Sequence, residues 1–369
     1  MAKVVILGGG VGGTMVANRL LKLRRDLDVT VVDSHGDHLF QPALLYVPLL
    51  GEDSNLAQDS KKLLRPGAKL VVDRVLAVEP DARQVRLEQG GAMPYDWLVI
   101  ATGSQLRHDG LPGGREANHH FHCHRGALRL HEALTAFRGG DILVGAASLP
   151  YKCPPSPLEF TFLLDEWLRA RGLRERTNLS YVYPLPDIQP LAPVARAARP
   201  MLEERGISIH TSFASPSIDV ERRTLSSNGT SLRFDLLILV PPHGTAPYLR
   251  ESDLAEPGGW VKTDPKTLRV RERIYALGDT TNLSRPKSGS VAHFQSEVVA
   301  TNLLAEIDEK EPEANYDGHV MCFLETGGGR ATIVDFTYDR PPVWKAPDRR
   351  TYWKKALFRA FYFRFVRRF

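Results

Sequence analysis

A chain of 369 residues, 43% hydrophobic and 25% charged, has the material for two domains with sizeable cores, and its composition excludes wholesale disorder. With a net charge of only +5 no nucleic-acid partner is expected, and no apolar run approaches the ~20 residues that cross a bilayer. Three cysteines, Cys123, Cys153 and Cys322, are too few and too scattered for a disulfide framework, and without a C-x-x-C or zinc-type spacing no metal site is expected.

Residues 3–7 (KVVIL) read as a buried parallel strand that runs straight into Gly8, Gly10 and Gly13 at G-x-G-x-x-G spacing. A helix pattern with Met15, Val16, Leu20, Leu21 and Leu23 follows, and Asp33 closes the next apolar run at 29–32. Glycines let backbone approach a pyrophosphate at a helix N-terminus, and the acid suits ribose hydroxyls. The order therefore specifies an ADP-binding βαβ unit, without saying whether the adenosine is that of NAD or FAD. A strand so near the start leaves no room for a signal peptide, so the body of the protein is expected in the cytoplasm.

Residues 97–103 (WLVIATG) form a second apolar strand ending at Thr102 and Gly103, and residues 274–279 (IYALGD) a third ending at Gly278 and Asp279. Together with the N-terminal glycines, these marks resemble the flavoproteins built from two dinucleotide-binding domains. That resemblance implies an α/β fold of two Rossmann-like domains and FAD as cofactor, with Asp279 on its ribityl chain. The FAD-binding domain is then discontinuous, about residues 1–105 and 255–330. An inserted Rossmann-like domain occupies about 106–254, and a C-terminal membrane-associating segment 331–369.

The inserted domain departs from the nucleotide-binding pattern. Residues 141–145 (DILVG) look like a strand entering a phosphate loop, yet Ala146 to Pro150 supply no further glycine. Cys153 stands there instead, after Tyr151 and Lys152 and before Pro154, Pro155 and Pro157, which fix φ and hold the thiol on a stiff, non-helical turn. Glu159 is either a proton acceptor for that thiol or a solvated acid in the first turn of a helix at 160–169. His119, His120, His122 and His124 surround Cys123, but no distant partner set closes a metal site. Further strands are expected at 179–182 and 234–240. Residues 290–307 read as a helix with Val291, Phe294, Val298, Val299 and Leu303 on its apolar stripe, preceded by Lys287, Ser288 and Gly289.

The runs YKCPP at 151–155, FDLLILVPPH at 234–243 and CFLETG at 322–327 are similar to sulfide:quinone oxidoreductases and flavocytochrome c sulfide dehydrogenases, and the resemblance covers about residues 1–330. It implies that Cys153 and Cys322 meet beside the flavin and cycle through a disulfide or sulfur-bridged form. Hydrosulfide attacks one sulfur, leaving a persulfide on that cysteine and a thiolate on the other, and two electrons pass to FAD. A plain stapling disulfide is the other reading, and a reducing compartment speaks against it. Cys123 matches a third cysteine with an accessory role in carrying or releasing sulfur; an idle surface thiol is its alternative. Lys287 and Gly289 match a PKTG-like segment near the quinone site. The helix after them is expected to turn its N-terminus toward the flavin pyrimidine, where free N–H groups favour an anionic reduced ring. Without a second glycine loop NAD(P)H is poorly supported, so sulfide as donor and quinone as acceptor are expected. A cytochrome acceptor and a non-catalytic redox sensor are the alternatives.

From Arg349 to Phe369 eight Lys or Arg residues and no acid interleave with Trp353, Phe358, Phe361, Tyr362, Phe363, Phe365 and Phe369. Such a segment fits the headgroup zone of a bilayer, with basic side chains snorkelling to anionic lipid; aromatics packed on the FAD domain or in a dimer interface are the lesser alternative. The first reading makes this a peripheral protein on the cytoplasmic side of a membrane. Its tail would then be an anchor whose removal after Pro347 spares the reaction with sulfide. Self-association is left open.

Overall fold

The computed structural model describes residues 1–51 and 56–369. Its first sheet has six strands in the order Arg269–Arg271, Ile274–Ala276, Trp97–Ile100, Lys3–Leu7, Asp28–Asp33 and Lys69–Val72. All neighbours are parallel except the edge pair Arg269–Arg271 with Ile274–Ala276. Val4, Ile6, Leu7, Leu98, Val99 and Ile100 are fully buried, as apolar strands covered on both faces must be. Each such side chain contributes about 1.5–3 kcal/mol by leaving water. The sheet thus draws on both ends of the sequence.

The second sheet is wholly parallel, in the order Asn118–His119, Leu236–Val240, Gly140–Ala146, Thr177–Val182 and Ser208–His210. Helix Ser156–Ala170 follows its central strand and begins earlier than the pattern predicts, because Pro157 sits in the first turn where its fixed φ suits a helix. The predicted helix at 290–307 spans Gly289–Ile307, with Val291, Val298, Val299 and Leu303 buried.

Two late elements tie these layers together. Val320–Gly327 and Arg330–Phe336 pair as an antiparallel hairpin with Cys322 opposite Val334, lying against helices Ser156–Ala170 and Gly289–Ile307. Helix Arg349–Arg368, capped by Asp348, which accepts from the Thr351 N–H at 2.7 Å, lies across that hairpin and the first helix, Val11–Leu23. Tyr362 stacks on Phe40 with ring centroids 4.0 Å apart, and the Arg19 guanidinium lies 4.6 Å from the Phe369 ring.

The expected separate segment at 331–369 therefore does not stand apart: it opens inside a hairpin, and one face of its helix packs on the core. The other face keeps Trp353, Leu357 and Phe361 at 63%, 56% and 49% exposure. Among the described residues no helix is long and apolar enough to cross a membrane.

Candidate functional site

The segments that leave the strands Gly140–Ala146 and Ile274–Ala276 at their C-terminal ends meet at Lys152 and Lys287, and it is outside such strand ends that doubly wound folds form their ligand crevice. The strand Gly140–Ala146 leads into Tyr151, Lys152 and Cys153. Cys153 has φ 57°, a left-handed conformation that costs a non-glycine residue energy and is held by its neighbours. Its N–H donates to the Lys287 carbonyl at 2.7 Å, and its carbonyl accepts from the Ser156 N–H at 2.9 Å. Residues 151–153 and 287–289 are thereby joined along one line, with Lys152 bridging to Lys287.

Cys322 arrives on the hairpin, beside the N-terminus of helix Gly289–Ile307. Both thiols are free and partly exposed. Burial pushes the Cys153 thiol up to about 12, and the nearby Glu159 and Cys322 push the same way, while Lys355 and the Ser156 hydroxyl oppose it. Burial likewise pushes Cys322 up to about 11 against hydrogen bonds from Ser290 and Ser288. The two sulfurs share one electrostatic site, each near the start of a helix, where the Ser156, Ser288 and Ser290 hydroxyls offset only part of the cost of a desolvated thiolate.

Glu159, the expected acid, is neither solvated nor alone. It is 3% exposed, accepts from the Glu325 N–H at 3.0 Å, and is bonded by the Lys355 ammonium, which also reaches Glu325 Oε1 at 3.1 Å. The Tyr46 hydroxyl donates to Glu325. Burial raises Glu159, Lys355 counters, and Glu325 adds to the rise. Two carboxylates facing one ammonium leave a surplus negative charge in a dry site, an arrangement that holds a proton more firmly than water does. Nothing in the sequence marks Lys355 or Tyr46, and Glu325 stands out only as a member of the CFLETG run. Lys355 is one of eight cations in a basic tail, and only the fold directs it inward.

At the other end, the glycine loop has the shape of a dinucleotide cradle. A Cβ on Gly13 would stand 1.9 Å from the Gly8 carbonyl oxygen, whereas in front of Gly10 nothing lies within 4 Å. Asp33 accepts from the Gly9 N–H at 2.5 Å and the His35 N–H at 2.8 Å, so it also fixes the loop. Thr102 and Gly103 follow the strand Trp97–Ile100, and Gly103 has φ 66°. The Asp279 carboxylate, beside Gly278, accepts from the Ser104 hydroxyl at 3.2 Å; burial raises it, and Lys287 and Lys152 lower it. The buried Thr280 hydroxyl has no hydrogen-bond partner among the described residues. Open space before Gly10, the Asp279 carboxylate and the Thr280 hydroxyl together suit a dinucleotide such as FAD.

Lys287 is 6% exposed and donates to the carbonyls of Asp279 at 2.8 Å and Thr281 at 3.0 Å, with its ammonium 3.5 Å from the Trp260 ring centroid. It braces the Asp279 loop. Gly289 opens its helix after Ser288, whose hydroxyl accepts from the Val291 N–H at 3.4 Å.

Cys123 caps helix His124–Ala136, its sulfur accepting from the Gly126 N–H at 3.3 Å. The half-buried Lys152 ammonium, lowered by desolvation, is favoured by Asp279, Cys123 and Cys153, and so stands among all three. His122 Nε2 lies 3.0 Å from the Ser156 hydroxyl, and its ring centroid is 5.4 Å from that of His243, the last residue of the 234–243 run. Among the described residues no group of three His, Cys, Asp or Glu side chains is set to hold a metal ion.

Known proteins resemble the chain along most of its length. The family described as pyridine nucleotide-disulphide oxidoreductase matches residues 2–147. The mitochondrial sulfide:quinone oxidoreductase of Mus musculus is 26% identical over 361 residues, 94% of this chain and 80% of that protein. The crystal structure of the sulfide:quinone oxidoreductase from Aquifex aeolicus superposes with a TM-score of 0.88 at 20% identity, covering 100% of this chain and 92% of that one. NDH2 from Plasmodium falciparum in complex with NADH superposes at 0.75 and 13% identity, covering 99% of this chain and 96% of that one.

Proposed function

We propose that the chain is a peripheral membrane flavoenzyme that oxidises sulfide at Cys153 and Cys322, holds FAD, and passes the electrons to quinone. What supports this reading is that the Cys153 and Cys322 thiols, remote in sequence, both feel the same Glu159–Lys355 pair, and that Cys153 is bonded to the Asp279–Lys287 loop. Similarity to sulfide:quinone oxidoreductases over most of the chain supports it. The strand Gly140–Ala146, which ends in a cysteine turn and not a glycine loop, speaks against NADH as the donor.

In the proposed cycle the two cysteines begin as a disulfide. Hydrosulfide attacks one sulfur, the S–S bond breaks, and the products are a persulfide on one cysteine and a thiolate on the other. Lys355 favours that thiolate, and the hydroxyls of Ser156 or Ser288 and Ser290 bond it. Glu159 takes the proton that the incoming sulfur must lose. The glycine loop, Asp33 and Asp279 would hold FAD, which when bound would accept the electron pair. The exposed ridge of Trp353, Leu357 and Phe361 suits a bilayer, where quinone resides, better than a soluble cytochrome acceptor.

The test is anaerobic addition of sulfide to the purified protein, followed by a soluble quinone or cytochrome c. Bleaching of the flavin and recovery on quinone is expected. Recovery with cytochrome alone would point to a flavocytochrome-like route, and no bleaching to a redox sensor.

Glu159→Gln gives a separate check. The variant reduces its flavin with sulfide about a hundredfold more slowly, within the range general bases supply. In the wild type the rate falls as pH drops through the raised Glu159 pKa, because the carboxylate form is the acceptor. That limb disappears in the variant. A stopped-flow rate and pH profile equal to wild type would remove Glu159 from the mechanism.

A further inference from the structure

We propose that the groove between the C-terminal helix and residues 57–63 is a binding site for the headgroup phosphate of an anionic phospholipid. The proposal rests on the membrane reading above and gives it a site of defined chemistry. The groove holds about 400 Å³; Leu63, Ala360 and Phe363 make its apolar floor, and Lys62, Arg364 and Arg367 its rim. None of these three cations enters a salt bridge among the described residues, although the surface elsewhere pairs its arginines repeatedly. Unpaired guanidinium forks are suited to a phosphate, which they bind through two parallel N–H bonds each.

The position of the groove separates lipid from other phosphates. Ala360, Phe363, Arg364 and Arg367 follow i, i+3, i+4, i+7 and so share one helix face, while Trp353, Leu357 and Phe361 at i, i+4, i+8 form the adjoining exposed stripe. Arg364 joins the two, its guanidinium 5.5 Å from the Phe361 ring centroid. With the apolar stripe buried at the acyl boundary, Arg364 and Arg367 stand at headgroup depth, and the apolar floor can receive the glycerol end of a lipid. A free phosphate gains nothing from that floor.

The full-length holoprotein is sedimented with vesicles of phosphatidylcholine alone and of phosphatidylcholine with phosphatidylglycerol. Arg364→Gln/Arg367→Gln is compared with Arg350→Gln/Lys354→Gln, which makes the same charge change on the same helix outside the groove. The groove variant is expected to lose on the order of tenfold or more of its affinity for phosphatidylglycerol vesicles, several times the loss of the control. It keeps its weak binding to phosphatidylcholine and its rate of flavin bleaching by sulfide. Equal losses in the two variants would reduce the effect to diffuse charge and overturn the site, leaving the membrane reading intact. Short-chain phosphatidylglycerol is expected to displace the protein from vesicles where inorganic phosphate at matched ionic strength does not; equal displacement by both would overturn the lipid assignment. Wild type that binds neither vesicle would overturn the membrane reading together with the site.

Discussion

Cys153→Ser and Cys322→Ser are each expected to abolish bleaching of the bound flavin by anaerobic sulfide while leaving the oxidised flavin spectrum in place. A serine hydroxyl fills nearly the space of a thiol but can neither form the disulfide nor act as leaving group in exchange, so the reaction stops at its first bond. Flavin retention is expected because the groups suited to the dinucleotide, the glycine loop, Asp33 and Asp279, stand on other segments and do not depend on either sulfur. A merely structural disulfide would give the opposite pattern, a lowered melting temperature with bleaching preserved. Stopped-flow absorbance on the two variants separates the cases, and undiminished bleaching in either one would end the redox assignment for that residue.

Lys355→Met is expected to destabilise the protein by about 3–5 kcal/mol near neutral pH and to slow the reaction with sulfide. The side chains of Lys355, Glu159 and Glu325 are 13%, 4% and 7% exposed, so removing the ammonium strands two carboxylates in a dry interior. The pH dependence has a definite sign. Burial already raises Glu159, and without Lys355 it rises further. A carboxyl whose folded pKa exceeds its unfolded value withdraws stability as pH climbs, and the penalty fades once both states are protonated. The melting-temperature deficit against wild type therefore narrows as pH falls from about 8 toward about 5. A deficit independent of pH would mean that lost packing, not stranded charge, is responsible. The same geometry reverses the expectation that truncation after Pro347 spares the reaction with sulfide: it removes Lys355 and uncovers Phe40 and His38.

How far these features are legible in the sequence depends on whether their cause is local. The glycine loop, the strands at 3–7, 97–100 and 274–276 and the helix beginning at Gly289 announce themselves, because periodicity and turn chemistry act over a few residues. Cys153 stands out where a glycine loop should be, but its pairing with Cys322 is legible only through resemblance, since nothing in their spacing says that a hairpin will carry one toward the other. Glu159 was half legible: its helix was foreseen, its burial was not. Lys355 and Tyr46 were invisible as site residues, for a lysine in a tail of arginines reads as a lipid-facing charge until the chain reversal after Phe336 lays that helix across the cysteine hairpin. The tail divided its two readings between two faces. Tyr362 and Val366 took the packed side, and Trp353, Leu357 and Phe361 the exposed one.

His38 gives this arrangement an outcome of its own. Desolvation keeps the imidazole neutral, so with one nitrogen donating to the Gly9 carbonyl at 2.9 Å the other must accept from the Tyr362 hydroxyl at 2.8 Å. A single ring thereby links the last helix to the turn that receives the nucleotide. By reciprocity, a nucleotide that stiffens this turn also steadies the end of the chain, so the flavin-loaded protein is expected to lose its last helix to proteolysis more slowly than the flavin-free protein.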